Sequence, residues 1–195
     1  MIYVVRHGET DWNIEGRIQG QHETFLTPNG IKQAEGLHKL LKHIKFDAVF
    51  CSPLARAKDT CRIILGGHDE SVVYDNALLE RDFGEMVGKV DDFMSFWHLG
   101  KPRVAKGVES IKEMEQRIFP LMEKLVKEYH DKKVLLVCHQ GPLFIMENFF
   151  GNASKDGDYK PLQVHGCGYR VYDGKTKQRI KESGLIENDR ESLGG

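Results

Sequence analysis

Apolar and polar positions follow two rhythms along this chain. Short, mainly apolar runs stand at residues 2–5, 46–51, 71–74 and 134–138. Runs of this length, rich in β-formers and stopped by polar or breaker residues, predict strands, those at 2–5 and 134–138 buried on both faces. Between them the spacing turns helical. Ile31, Ala34, Leu37 and Leu41 form a buried stripe behind a Thr27 cap and Pro28 at the first helical position. Ser52-Pro53 predicts another cap, opening a helix from Leu54 to about Leu65 that Gly66-Gly67 ends. Residues 109–130 read as a long amphipathic helix with Ile111, Met114, Ile118, Leu121 and Leu125 inward and a kink or broken start at Pro120. A short helix is expected at 90–99, another after Pro142, and late strands near 162–170 and 178–181. Residues 8–25 read as one long structured loop, a length that usually carries function. Strands alternating with helices predict an α/β fold, a three-layer αβα sandwich with a mostly parallel central sheet. One domain over residues 1–195 is expected, with 188–195 a flexible tail.

Composition narrows the function classes. With 28 basic against 29 acidic residues and a net charge of -1, the chain offers no broad surface for nucleic acid or membrane. No apolar run approaches the ~18 residues of a membrane span. The apolar run before Arg6 is too short for a secretory signal. The cysteines at 51, 61, 138 and 167 form no metal-binding or disulfide pattern, and Cys51 and Cys138 read as buried small hydrophobes. The expected compartment is the reducing cytoplasm. The remaining histidines show no metal-ligand grouping, and neither metal nor cofactor is expected. A homo-oligomer stays open, since the helix faces carry no clear additional apolar stripe.

Chemistry concentrates where strands end. The first stops at Arg6-His7-Gly8 and the late one at Cys138-His139-Gln140-Gly141. Open α/β sheets bind ligands at the carboxyl ends of their strands. If these strands are neighbours, two histidines share one pocket. Arg56 falls in the first turn of the helix after Cys51, where amides and a guanidinium suit an anion. A neutral histidine can accept a phosphoryl group covalently while arginines neutralise the transferring oxygens. The departing alkoxide needs a proton from a carboxylic acid. Glu9, Glu80, Asp82 and Glu85 all remain open for that role. Taken singly, each residue has a blander reading: Arg6 in a surface ion pair, His139 in the core, Glu80 a solvated loop acid, Asn13 a turn stabiliser. Phe83, Phe93, Phe96 and Trp97 read as core rather than pocket wall. Lys101, Arg103 and Lys106 read as a solvated basic loop.

Arg6-His7-Gly8-Glu9-Thr10, with Asn13 and Arg17-Ile18-Gln19-Gly20, resembles the signature of the histidine phosphatase superfamily, the phosphoglycerate-mutase-like fold. Leu26-Thr27-Pro28-Asn29-Gly30, Ser52-Pro53-Leu54-Ala55-Arg56-Ala57, Leu79-Glu80-Arg81-Asp82-Phe83-Gly84 and His139 with a nearby glycine continue it in family order. The resemblance implies His7 as nucleophile, Arg6, Arg56 and His139 as holders of the phosphoryl group, and Glu80 as proton donor and later activator of water. It places Asn13, Gln19 and Gly20 at the entrance and gives Arg17 to the loop. Gln140 departs from the two glycines many members carry there; its amide can still serve phosphate. Cofactor-dependent mutases of this family are longer after the acid loop, and this chain is short between Gly84 and Glu109. The expected activity is therefore a phosphomonoesterase acting on small phosphorylated metabolites through a phosphohistidine. The alternatives are a cofactor-dependent phosphoglycerate mutase and a phosphate-binding module without chemistry.

Overall fold

A computed structural model describes residues 1–68, 71–91, 93–97, 104–152, 159 and 162–182. Among these residues six strands form one sheet: β1 (Ile2–Arg6), β2 (Ala48–Cys51), β3 (Val72–Tyr74), β4 (Val134–Cys138), β5 (Tyr169–Tyr172) and β6 (Arg179–Glu182). Their order is β3-β2-β4-β1-β5-β6. The pairs β1–β4, β2–β4 and β2–β3 are parallel, while β5 runs antiparallel to both β1 and β6. Five α-helices accompany them among the described residues: α1 (Asp11–Ile14), α2 (Pro28–Leu41), α3 (Ala55–Ile64), α4 (Ile111–Glu128) and α5 (Gln140–Phe149).

Strand alternation sorts the core into two layers. Ile2, Val4, Val134, Leu136 and Cys138 face α4 and α5, in a cluster with Met114, Ile118, Leu125 and Phe144. Tyr3, Val5, Leu135 and Val137 face the other way, against Ala34 and Leu37 of α2 and Ala57, Cys61 and Ile64 of α3. The result is the αβα sandwich that the alternation of strands and helices implies. The central strands β1 and β4 are buried almost throughout, which is why they read as unbroken apolar runs.

Several local expectations shift. Ser110 caps α4 through a reciprocal capping box with Glu113, and the helix runs unbroken from Ile111 to Glu128 with Pro120 inside it. The stretch expected as a helix at 90–99 contains a 3-10 turn at Phe93–Phe96. Residues 8–25 include the short α1, capped by Thr10 and Asn13. Ile31 is 41% exposed, and Gly30 takes the buried place in that turn. The reason is a close approach of backbones: a Cβ on Gly30 would lie 2.1 Å from the Glu9 carbonyl oxygen, and one on Gly8 would lie 2.6 Å from that of Gly30. The N-terminus of α2 thus rests directly on the chain leaving β1. The first of the late strands is confined to Tyr169–Tyr172, and the residues from 162 to 168 form no strand, with a turn at 166–167. Lys101, Arg103, the Phe93 side chain and the tail at 188–195 lie outside the described residues.

Candidate active site

Because β1 and β4 are parallel neighbours in the register Arg6↔Cys138, the residues that follow them emerge together. The His7 amide continues the ladder to the Cys138 carbonyl at 3.0 Å. The His7 and His139 rings sit 5.1 Å apart, tilted by 57°. His7 is 3% exposed and His139 fully buried.

Tautomers follow from the partners. His7 Nδ1 is 2.7 Å from the Gly8 carbonyl oxygen, which can only accept. The proton therefore sits on Nδ1, and Nε2 keeps its lone pair. The peptide that carries this carbonyl is itself fixed, its Glu9 amide donating to Gln33 Oε1 at 2.9 Å, and the Gly8 amide donates to Thr60 Oγ1 at 3.0 Å. His139 Nε2 lies 2.7 Å from Ser52 Oγ, which also accepts the Leu54 amide. We assign the hydroxyl proton to this bond, which leaves an N–H at His139 Nδ1. Both rings have pKa values well below the ordinary one. Burial is the first cause for each; next come Arg56 and Arg6 for His7, and Arg56 for His139. Two neutral imidazoles result.

Two guanidiniums supply the charge. Arg56 is fully buried and donates through Nη1 to the His22 carbonyl and Thr24 Oγ1, and through Nη2 to the Gly20 carbonyl at 2.8 Å. It stays cationic although burial brings its pKa down to about 10. Arg6 Nη1 donates to the Val164 carbonyl. The buried Arg6 Nε, Arg56 Nε, His139 Nδ1 and Gln140 Nε2 have no partner among the described residues. Gln140 is oriented by the Val164 amide, which donates to its Oε1 at 2.9 Å. Four buried N–H donors thus remain available to an acceptor from outside. The expected anion cradle at the start of α3 is different: Glu23 Oε2 already accepts the first amide of that helix, Ala55 N, at 2.8 Å.

A cavity of ≈ 240 Å³ opens here, lined by Arg6, His7, Asn13, Arg17, Gln19, Gly20, Arg56, Glu80, Phe83 and Gln140 among others. His139 is not among these residues; its ring centroid lies 5.1 Å from that of His7. Asn13 is shared with the cap, its Oδ1 accepting the Thr10 amide at 3.1 Å. Gln19 Oε1 accepts Thr24 Oγ1, and Gly20 lends its carbonyl to Arg56. Arg17 is tied to Glu15 and the Gly88 carbonyl.

Of the four candidate acids, only Glu80 is buried and lines the cavity. Glu9 accepts from Thr27 Oγ1, Asp82 caps the Gly84 amide, and Glu85 accepts the Lys106 amide. Glu80 Oε1 accepts the Arg81 amide at 2.8 Å and the Gly141 amide at 3.0 Å. Burial raises its pKa; the two amides, Arg56 and Arg6 only partly oppose that.

The sequence reading gave no functional place to Ser52 or to the cavity wall formed by Trp12, Ile18, Asp91 and Gln163. Ser52 had a local signal, the Ser-Pro pair, but its contact with His139 depends on the β2–β4 pairing. Phe83, Phe96 and Trp97 are fully buried in the core, and Phe83 also touches the cavity.

Among known sequences, the profile of the histidine phosphatase superfamily (branch 1) matches residues 2–182. The chain belongs to that superfamily. It is 31% identical over 154 residues, 74% of this chain and 76% of the relative, to the adenosylcobalamin/alpha-ribazole phosphatase of Escherichia coli K12. It is 34% identical over 158 residues, 73% and 75% of the two chains, to a 2,3-bisphosphoglycerate-dependent phosphoglycerate mutase of Allorhizobium ampelinum. The phosphoserine phosphatase of Entamoeba histolytica, solved with 3-phosphoglyceric acid, superposes with a TM-score of 0.79 at 26% identity, covering 95% and 97% of the chains. Superfamily membership and the sandwich fold agree with the reading of the strand-end motifs. No helix among the described residues is long and apolar enough to cross a membrane, and no cluster of three or more metal-ligating side chains occurs among them.

Proposed function

We propose that this histidine phosphatase superfamily member hydrolyses small phosphomonoesters through a covalent phosphohistidine at His7. The observation that carries the reading is the Nδ1–H bond from His7 to the Gly8 carbonyl, which leaves a neutral Nε2 on a ring that feels the charges of Arg56 and Arg6. With His7 and His139 neutral and Glu80 protonated, the site holds two guanidinium charges. A phosphomonoester dianion brings two negative charges to meet them.

In the first step His7 Nε2 attacks phosphorus and an N–P bond forms as the P–O bond to the leaving group breaks. Glu80 gives its proton to that oxygen, releasing the alcohol. Arg6, Arg56 and Gln140 Nε2 hold the phosphoryl oxygens, and His139 Nδ1 completes the set from beside His7; Asn13, Gln19 and Gly20 line the approach. In the second step water attacks phosphorus and yields its proton to the Glu80 carboxylate. The N–P bond breaks, the imidazole regains its lone pair, and inorganic phosphate leaves. These residues supply the whole of the charge and proton traffic, so a metal is not required.

A mutase runs the same first step and returns the phosphoryl group to a bound sugar acid. The resemblance to phosphoglycerate mutases keeps that reading in play. The short connection from Gly84 to Glu109 favours water as the second acceptor. The test is a rapid acid- or base-quench with a labelled phosphomonoester, paired with an assay for positional transfer. Wild type is expected to trap a base-stable, acid-labile phosphoenzyme that His7→Ala lacks, with phosphate as the main product. Turnover without that adduct would end the covalent scheme, and dominant positional transfer would make the chain a mutase.

A further inference from the structure

The proton donor sits on a loop, and a loop acid is useful only if it is held still. On α4, well outside the cavity wall, Arg117 reaches across to that loop. Its Nη1 donates to the carbonyls of Ala77 at 2.8 Å and Leu79 at 2.9 Å, and its Nη2 to that of Glu80 at 3.3 Å. Three carbonyls within four residues thus converge on one guanidinium. The other edge of the fork is fixed by Glu109, whose Oε1 and Oε2 accept Nε at 2.7 Å and Nη2 at 3.0 Å.

Glu109 grips the far side of the same loop. Its Oε2 accepts the Asp82 amide at 3.2 Å, its own amide donates to the Asp82 carbonyl at 2.8 Å, and its carbonyl accepts Arg81 Nε at 2.7 Å. The pair therefore straddles Glu80, with Arg117 on residues 77–80 and Glu109 on residues 81–82. We infer that Arg117, clamped by Glu109, is a positioning residue that holds the Glu80 carboxyl against the Gly141 amide at the start of α5. This rests on the proposed role of Glu80 as proton donor. Arg117 does not touch the cavity and is absent from the groups that set the Glu80 charge state. Its action is geometric: a planar, five-donor fork can satisfy several carbonyls and a carboxylate together, and an ammonium cannot. Once the loop loosens, the donor drifts from the leaving oxygen, whereas the phosphate contacts at Arg6 and Arg56 stay in place.

The test measures kcat/KM for an alkyl phosphate and for p-nitrophenyl phosphate, whose leaving group needs little proton assistance. Arg117→Met, Arg117→Lys and Glu109→Gln are compared with Glu80→Gln. The alkyl-to-aryl ratio is expected to fall about tenfold or more in Arg117→Met, part of the 10²–10⁴ that general acid catalysis supplies. The loss should lie in kcat, with vanadate inhibition unchanged, a weaker loss in Glu109→Gln, and little rescue by lysine. A variant that merely folds poorly would lower both substrates together and keep the ratio. An unchanged ratio in Arg117→Met beside a lowered one in Glu80→Gln would overturn this inference alone. An unchanged ratio in Glu80→Gln would overturn the acid assignment and the inference with it.

Discussion

Replacing Gly141 by alanine separates chemistry from folding. An added Cβ would stand 2.2 Å from Glu80 Oε1, and 3.1 Å from both Met114 Cε and Trp97 Cη2. Trp97 is fully buried, so it cannot yield easily, whereas the carboxyl is the end of a flexible side chain. To reach ordinary contact Oε1 must retreat by about 1 Å, a displacement that can cost about 10²-fold when it misplaces a reacting group. The retreat also weakens the Gly141 N–H bond to Oε1, a loss of about 0.5–1.5 kcal/mol, or more while the acid is ionised. Residual crowding adds roughly 1–3 kcal/mol. A helix gains up to about 1 kcal/mol from the glycine-to-alanine exchange, which offsets part of this. The expected result is a folded protein, somewhat less stable, whose kcat/KM for alkyl phosphates falls about 10²-fold while aryl phosphates suffer far less. Steady-state kinetics on the two substrate types, with urea unfolding alongside, decides the matter. Unchanged alkyl phosphate turnover in a well-folded Gly141→Ala protein would refute the placement of the donor against α5.

Arg56→Ala should weaken vanadate inhibition by about 10–100-fold, the worth of one charge-assisted contact, and loosen the turn whose carbonyls at Gly20 and His22 it holds; inhibition constants and proteolysis near residues 20–24 check both. Stability should also depend on pH through the two imidazoles. Both have pKa values lowered by burial in the folded state, so below about 6.5 the unfolded chain binds protons that the folded chain does not. Their contribution is full above about pH 6.5 and is lost as pH falls toward the folded values, with a slope of up to ~1.4 kcal/mol per pH unit for each ring. The raised pKa of Glu80 acts with opposite sign, its contribution present below about pH 4.5 and lost as pH rises. Urea titrations in a Glu80→Gln background isolate the imidazoles, and His7→Gln should then reduce the slope. A slope indifferent to His7→Gln would contradict a neutral, buried ring.

Much of this architecture could be read from local pattern. The runs ending at Arg6 and Cys138 announce themselves because a strand buried on both faces leaves no polar interruption until it reaches the site. Thr27-Pro28 marks the start of α2 because caps act within one turn. The proposed proton donor was different. Glu9, Glu80, Asp82 and Glu85 are equivalent as letters, and only tertiary contacts distinguish them: Glu9 accepts from the Thr27 hydroxyl, Asp82 and Glu85 from exposed amides, and Glu80 alone is carried under α5. Ser52 reads as the cap of α3, but the cap is Leu54 with no side-chain bond, and the Ser52 hydroxyl serves His139 from a neighbouring strand instead. Arg81 gave no sign that it would be buried, with its guanidinium 4.7 Å from the Trp97 ring and its pKa brought down to about 10 by burial. Such outcomes depend on which segments meet, and spacing along one segment does not encode that.

The parity of β1 has a consequence for how this protein can change. Odd-numbered Tyr3 and Val5 point to one helical layer and even-numbered Ile2 and Val4 to the other. Inserting or deleting a single residue before His7 would turn every one of these side chains over if the imidazole stayed in place. If the strand kept its register instead, the imidazole would be carried away from its neighbour at 139. Such a change therefore cannot keep both the packing of β1 and the position of the proposed nucleophile, and variation in substrate choice is expected from the loops that ring the cavity.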